Sequence, residues 1–273
     1  MNETRQDWIN ERTAVLESSG EPEELEAAVQ DLAASDDPEA LERLGTFLRR
    51  SDFLDRLDEP EASNGSLNFN IALSPLVQRP SPEVARLCLQ LVDDPKYLEH
   101  DRKSVLLKAL AGVVPMSQEA AAAFRRANEE GYFAFNALLL ARNGSRAALD
   151  LFRDMMLDTE QEPVSRVELV HMGILPYRNR LETVDLAASL AFSGVELPVA
   201  IAAVESVFDY RLEWFKLHGP ARPPWRVASV DVLQHVVDVA EHVKALPFLP
   251  AELRAAIDNT VDLLRALLAA RAA

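Results

Sequence analysis

The chain has 273 residues, which is long enough for one large domain or two domains with a substantial hydrophobic core. Hydrophobic residues make up 48% of the sequence, which excludes a wholly disordered chain. The formal charge of −16 works against general binding to nucleic acid phosphates and to anionic membrane surfaces. Only 9 residues are glycine, and Ala, Leu, Glu and Arg predominate, which favours an all-α fold.

The negative charge is concentrated near the N-terminus. Residues 1–62 contain 18 Asp and Glu against 6 Lys and Arg, whereas the rest of the chain contains 26 against 22. An acidic surface of this kind suits a basic protein partner, although it also serves simply to keep a protein in solution. The residues predicted to carry the binding are Glu23, Glu24, Asp36 and Asp37.

The first helices of the chain have clear start signals. Residues 3–18 predict an amphipathic helix, and Pro22 and Pro38 each sit where the first turn of a new helix is expected. One of the two aspartates before Pro38 is expected to cap the third helix. A short helical turn then leads into a polar loop at residues 58–66, which is predicted to be the most flexible break in the chain.

The helical pattern resumes at Leu67. Pro75 lies inside an apolar segment and is expected to break its helix, since proline removes a backbone donor. Ser81 and Ser117 are expected to cap the second members of the next two helical pairs, and Pro115 to end the helix between them. Each pair therefore consists of a more apolar first helix and an amphipathic second helix.

Residues 132–157 show this unit most clearly. An almost wholly apolar helix is followed by Asn143 and Gly144, because glycine tolerates the left-handed conformation that ends a helix. An amphipathic helix follows, and its apolar positions form one stripe. The predicted structure is a helical hairpin whose first helix is the most buried.

About five such hairpins succeed one another. The first helices begin near residues 22, 67, 102, 132 and 164, and the second helices begin near 38, 82, 118, 145 and 179. Because no single hairpin can bury both apolar faces, neighbouring hairpins are expected to stack.

Over residues 22–193 this pattern resembles HEAT-type repeats. The similarity rests on the repeated helical pair, on the Asp-Asp-Pro-Glu-Ala start at 36–40 and on the Ser-Pro-Glu-Val start at 81–84. Armadillo repeats or another helical array have a comparable pattern. The resemblance implies a right-handed α-solenoid whose concave surface binds mostly proteins.

The C-terminal part departs from the repeat. Three longer helical segments within residues 194–273 are expected to form a cap, which keeps the end of a solenoid polar. The predicted domains are therefore acidic N-terminal helices at 1–66, HEAT-like repeats at 67–193 and a three-helix cap at 194–273.

Two clusters combine aromatic and basic residues, the types that most often anchor protein interfaces. The alternative is that the tryptophans pack inside the cap and the arginines are merely solvated. The predicted binding residues in these clusters are Tyr177, Arg178 and Arg180 in one, and Trp214, Arg222, Trp225 and Arg226 in the other.

One helix face carries Asp231, His235, Asp238 and His242, which are suitable zinc, iron or manganese ligands. The two histidines are about 10 Å apart along the helix axis, too far for one metal, so a solvated face is the favoured interpretation. His171 lies on an apolar segment and is expected to be a core histidine. We therefore predict neither a metal site nor a cofactor.

The sequence favours a non-enzymatic protein–protein interaction scaffold or adaptor whose acidic surface binds a basic partner. It contains no recognisable catalytic set. Two alternatives remain open. One is a nucleic-acid-processing protein of the HEAT-like DNA glycosylase type, which requires one groove lined by Arg142, Arg146, Arg178 and Arg180. The other is a metal-dependent enzyme that uses the aspartate–histidine face.

Location and redox chemistry follow from what the sequence contains. No segment has the pattern of a signal peptide or the apolar length of a membrane span, so a soluble cytoplasmic protein without a membrane partner is expected. The single cysteine, Cys88, excludes an intrachain disulfide, and its apolar neighbours predict a buried, inert thiol.

Overall fold

The computed structural model of the chain describes residues 3–50, 52–57, 66–97, 100–208 and 224–272. These residues form helices joined by short turns, and no β-strand occurs among them, which confirms the predicted all-α class. None of the helices in these ranges has the length and apolar character needed to cross a membrane. Of the predicted break at 58–66, only Ser66 lies within the described residues.

Sixteen α-helices lie in the described ranges. They are α1 Glu3–Ser18, α2 Pro22–Ala33, α3 Pro38–Leu48, α4 Phe53–Leu57, α5 Ser66–Ala72, α6 Ser74–Gln78, α7 Pro82–Leu91, α8 His100–Gly112, α9 Gln118–Ala127, α10 Phe133–Asn143, α11 Arg146–Leu157, α12 Pro163–Ile174, α13 Leu181–Phe192, α14 Leu197–Phe208, α15 Val230–Lys244 and α16 Ala251–Ala272.

Local sequence signals set most of the helix starts. Ser81 and Ser117 each accept a hydrogen bond from the backbone N–H three residues later, at 3.1 Å, and so cap α7 and α9 as predicted. Asp37 caps α3 by accepting from the backbone N–H of Glu39 at 2.9 Å. Pro75 lies in the first turn of α6, and the helix is interrupted just before it, between α5 and α6.

The chain separates into two compact units, Met1–Glu130 and Gly131–Ala273, here called unit 1 and unit 2. The predicted division at residues 66 and 193 concerns types of helical repeat rather than compactness. That division stays a prediction.

Within unit 1, helices pack on others further along the chain in two sets. In one set α2 contacts α5 and α6, which in turn contact α8. In the other set α1 contacts α3, α3 contacts α7, and α7 contacts α9. The buried phenolic hydroxyl of Tyr97 donates to the backbone oxygen of Leu48 and so joins the segment after α7 to the end of α3.

Unit 2 repeats this arrangement. One set consists of α10, α12, α14 and α16, each in contact with the next. The other consists of α11, α13 and α15. The second helix of the predicted hairpin, α11, buries its apolar stripe as expected, and Gly144 ends α10 with a φ of 70°.

The prediction that the first helix of this hairpin is the most buried is wrong. In α10, Ala134 is exposed and Phe133 is only half-buried. The most buried helix of unit 2 is α14, which contacts α12, α13 and α16. How deeply a helix is buried depends on how many other helices pack against it. The sequence of that helix alone does not reveal how many neighbours it has.

An ion pair between a buried arginine and a partly exposed glutamate joins three segments of unit 2. The Arg166 guanidinium is fully buried and donates two hydrogen bonds to the Glu196 carboxylate, at 2.7 and 2.8 Å, and a third to the Met156 carbonyl at 2.9 Å. It thereby ties the start of α12 to the end of α11 and to the residue before α14. These hydrogen bonds hold the pKa of Glu196 below its ordinary range.

Replacing Glu196 with alanine should lower the free energy of unfolding by more than the matched control does, because it leaves the buried Arg166 guanidinium without its carboxylate. The matched control is Glu241→Ala, which breaks a pair with Arg265 in which both side chains are more than half exposed. That loss should stay below about 1 kcal/mol. Urea denaturation of the two variants measures both values, and equal losses would contradict a structural role for the Arg166–Glu196 pair.

Candidate protein-binding surfaces

The two predicted aromatic–basic clusters meet in unit 2. The guanidinium carbon of Arg178, in the connection before α13, lies 5.7 Å from the ring centroid of Trp225, in the connection before α15. Both side chains are buried, with 2% of Arg178 and 3% of Trp225 exposed. Burial lowers the pKa of Arg178 to about 10. These two residues therefore pack inside unit 2, whereas Trp214 and Arg222 lie outside the described residues.

Arg180 is held in one position at the same end of unit 2. Its guanidinium carbon lies 4.4 Å from the ring centroid of Tyr177, and its Nη1 donates to the carbonyl of Arg142 at 3.2 Å. A Cβ at position 144 would lie only 2.6 Å from this Nη1, so Gly144 provides the space that the guanidinium occupies. The orientation of Arg180 is therefore fixed by its surroundings.

The connection that contains Arg226 is tied to the last helix. Arg271 of α16 donates to the carbonyl of Arg226 at 2.8 Å and to that of Ala228 at 2.5 Å. The side chain of Arg226 remains exposed. Neither Arg226 nor Arg142 nor Arg180 forms an ion pair with a carboxylate of the described residues. We call Arg142, Tyr177, Arg180 and Arg226 the basic end of unit 2.

A cavity of about 290 Å³ adjoins the basic end of unit 2. Its wall combines the buried Arg178 guanidinium and the Trp225 ring with apolar side chains of α14 and α16. The lining residues are Arg178, Val207, Phe208, Trp225, Asn259, Thr260 and Leu263. The Thr260 hydroxyl donates to the carbonyl of Phe208 at 2.8 Å, and this bond holds α16 against the end of α14.

The four acidic residues predicted to bind a partner do not form one patch. Glu23 and Glu24 are exposed in the first turn of α2, whereas Asp36 and Asp37 follow the end of that helix. At 1.5 Å per residue, the 12 residues of α2 separate the two pairs by about 18 Å. Asp37 is also buried, with 7% exposed, and pairs with Arg5 at 2.8 Å.

Asp37 is thus placed to stabilise α3, and its removal should show this. The Asp37→Ala variant should lose about 1 kcal/mol of unfolding free energy, since it removes the helix cap. Asp36→Ala, which changes an exposed neighbouring carboxylate, should stay within about 0.5 kcal/mol of the wild type. Chemical denaturation of both variants tests this, and an unchanged Asp37→Ala would refute the capping role.

The structure also contains two grooves that sequence analysis did not predict, one on each side of α3. The groove between α1 and α3 has a volume of about 610 Å³. The groove between α3 and α7 has a volume of about 300 Å³. Glu42 lines both, Glu17 lines the first and Glu83 the second. The amphipathic patterns of α1, α3 and α7 indicate which face of each helix is exposed. Only the packing of the helices determines which exposed faces lie side by side.

Some carboxylates of unit 1 are paired with an arginine, and others are not. Asp31, Asp37 and Glu39 are paired in this way, and Glu39 also lines the α1–α3 groove. Glu17, Glu42 and Glu83, in contrast, form no ion pair with any basic side chain that the structure describes. We call these three the unpaired groove carboxylates. Their charges face the grooves without an intramolecular partner.

The corresponding groove of unit 2, between α11 and α13, is small and largely neutralised from within. Its volume is about 100 Å³. Asp150 pairs with both Arg146 and Arg153 of the same helix, at 3.2 and 3.7 Å. Asp185 lies 2.7 Å from the Nε2 atom of His235 on α15. Two of the carboxylates that line this groove, Asp150 and Asp185, therefore have a partner within unit 2, whereas Glu182 forms no ion pair among the described residues.

The geometry bears on the two alternative functions. Arg178 is buried against Trp225, and Arg146 pairs with Asp150, so the four arginines proposed to hold nucleic acid do not present their charges together. On the aspartate–histidine face, His235 contacts Asp185, and His242 Nδ1 bonds the backbone oxygen of Asp238 at 2.8 Å. Within the described ranges, no three His, Cys, Asp or Glu side chains are grouped to hold a metal ion.

His171 lies between α12 and α14, as a core histidine does. Its Nδ1 is 3.0 Å from the Ser206 hydroxyl oxygen, and that hydroxyl donates to the Ala202 carbonyl at 2.7 Å. Nδ1 is therefore the donor, and Nε2 lies 3.7 Å from the Glu205 carboxylate. Serine, histidine and glutamate thus adjoin, but Ser206 is fully buried, and its proton is directed to Ala202. The hydroxyl is not presented to a substrate.

Burial lowers the pKa of His171 below its ordinary value of about 6.5. The unfolded state then binds a proton more readily than the folded state, so the free energy of unfolding should fall as the pH drops below about 6.5. The His171→Gln variant should lack this part of the pH dependence, because an amide can bond Ser206 without titrating. Urea denaturation between about pH 5 and 8 tests this.

The control for this measurement is His242→Gln, which changes an exposed ring. It should retain the pH dependence of the wild type. The same slope in all three proteins would show that His171 does not contribute.

Cys88 is fully buried, as predicted. Burial raises the pKa of its thiol to about 12, which keeps it protonated and unreactive near neutral pH.

No protein-family model, no curated protein and no solved structure matches this chain.

Proposed function

We propose that this protein is a non-enzymatic interaction scaffold or adaptor that binds a basic segment of a partner protein in the grooves on both sides of α3. The observation that carries this proposal is that the unpaired groove carboxylates, Glu17, Glu42 and Glu83, form no ion pair with a described side chain. A lysine or arginine of a partner would supply the missing charge.

Four arginines also line the two grooves. Arg43 and Arg50 pair with Glu39 and Asp52, Arg49 donates to Gln90, and Arg86 forms no ion pair within the described chain.

The surrounding charge favours the same partner. Residues 1–130 contain 26 Asp and Glu against 14 Lys and Arg, whereas residues 131–273 contain 18 against 14. Unit 1 therefore attracts a basic segment at a distance and raises the rate of encounter. The attraction should weaken with added salt, since exposed charges are screened over about 10 Å at 0.1 M ionic strength.

The shape of the α3–α7 groove gives this binding a direction. A Cβ at Gly45 would lie 2.8 Å from Leu87 Cδ1, so the two helices approach closely near this point. Near the end of α3, Arg49 donates to the side chain of Gln90 at 2.5 Å. Glu42 and Glu83 lie toward the starts of the two helices. A bound segment would therefore place its basic residue at that end, away from Arg49.

The α-solenoid architecture is part of the proposal. It is supported by the resemblance of residues 22–193 to HEAT-type repeats and by the contact of each helix with helices further along its own set in both units. In such an array the second helices of successive hairpins line one face. The helices α3 and α7 are the second helices whose groove carries Glu42 and Glu83.

A peptide selection tests the proposal and needs no identified partner. Immobilised protein should enrich basic peptides from a random displayed library. The affinity of a selected peptide, measured by fluorescence anisotropy, should fall at least about tenfold in Glu42→Lys, because a like charge then faces the basic side chain. The control Glu11→Lys reverses an exposed carboxylate of α1 that lines neither groove and should bind the peptide normally.

Two outcomes would overturn the proposal. One is the absence of basic peptides after selection. The other is equal binding by the wild type and the Glu42→Lys variant, provided that circular dichroism shows both to be folded.

A further inference from the structure

We infer that unit 2 carries a second docking site, of opposite charge, for an acidic protein segment that inserts one large apolar side chain into the cavity beside Trp225. This site goes beyond the proposed function, because it shares no residue with the grooves of unit 1. It uses the basic end of unit 2 together with the adjoining cavity.

The cavity has the size of an anchor pocket. Ligand cavities usually have volumes of about 300–1,000 Å³, so 290 Å³ lies at the lower limit. Such a volume suits one large side chain better than a whole cofactor. Val207, Phe208 and Trp225 form apolar walls, and Leu263, with 43% of its surface exposed, lies at the opening. Deep apolar pockets of this kind hold the residues that dominate binding energy at interfaces.

Basic residues lie on the chain segments that form the cavity. Arg178 lies in the wall, Arg180 follows it by two residues, and Arg226 is adjacent to Trp225. The backbone carbonyl of Arg142 accepts a hydrogen bond from Arg180. A carboxylate of a bound segment would meet the arginines of these segments, of which Arg226 is exposed.

Arg180 is ready to bind before a partner arrives. The Tyr177 ring and the Arg142 carbonyl hold its guanidinium, and the glycine at position 144 leaves the required space. A side chain already fixed loses little conformational entropy on binding, which favours affinity. Arginine also binds carboxylates through two parallel N–H groups.

Exposed apolar residues distinguish a protein segment from a nucleic acid. Val227 is 79% exposed and Val230 is 51% exposed, next to Arg226 and at the start of α15. A phosphate backbone makes no favourable contact with such apolar side chains, whereas an apolar residue of a peptide can pack against them and remove them from water. The exposed Glu182 and Asp231 would also repel a continuous row of phosphates. An acidic segment with separate carboxylates and an apolar anchor fits these neighbours.

The test is a selection from a random displayed peptide library in which peptides that combine Asp or Glu with Phe, Leu or Trp are isolated. Their affinity should fall at least about tenfold in Arg226→Glu and in Leu263→Arg, measured by fluorescence anisotropy. Arg226 is suited to reversal because its guanidinium makes no ion pair that the change would break within the described chain.

Two matched controls should bind the acidic peptide normally. Arg125→Glu reverses an exposed arginine of unit 1, and Leu197→Arg changes a leucine of unit 2 that is 49% exposed and does not line the cavity. A peptide in which one glutamate is replaced by lysine should regain affinity for Arg226→Glu. This charge exchange separates lost recognition from lost folding.

Three results would overturn the inference. They are a selection without acidic apolar peptides, equal binding by all variants, and binding of duplex DNA that depends on Arg226 while peptides do not bind. Because basic peptides and Glu42→Lys report only on unit 1, failure of this site and failure of the proposed function are distinguishable.

Discussion

The structure depends on the burial of apolar helix faces against helices further along the same set. In unit 2, α14 buries eight of its twelve residues, in contact with α12, α13 and α16, and α11 buries its stripe of leucine, phenylalanine and methionine. Each apolar side chain removed from water contributes about 1.5–3 kcal/mol, so these contacts dominate the stability of each unit. Most polar and charged groups then lie at helix ends, in connections and on the outward faces of the helices.

This distribution determines which charges are available to a partner. The buried Arg166 guanidinium donates its hydrogen bonds to Glu196 and to the Met156 carbonyl, and so it holds α12, α11 and the start of α14 together. Asp37 is used as a helix cap. The side chains of Glu42 and Arg226, in contrast, form no ion pair with any side chain among the described residues. The candidate binding charges are therefore those that folding leaves uncompensated, and they are acidic beside α3 and basic in the connection before α15.

Residue type alone separates these roles poorly. Asp36 and Asp37 are adjacent and identical, but one is exposed and the other is buried against Arg5. Tyr177 and Arg178 belong to one predicted binding cluster, but Arg178 is directed inward to Trp225 while Arg180 rests on Tyr177. Each difference arises from the direction of the chain at a connection, which local sequence specifies weakly.

The sequence by itself determined the helical class, most helix starts and the stripe of α11, because proline, serine and aspartate act within one turn and apolar periodicity is local. The sequence also contains both aromatic–basic clusters as groups of neighbouring residues. Only the tertiary structure decided that these clusters meet across 47 residues, from Arg178 to Trp225, and that Glu17, Glu42 and Glu83 line grooves beside α3. These contacts depend on which helices pack together. The choice of packing partners depends in turn on burying the apolar faces of all the helices at once.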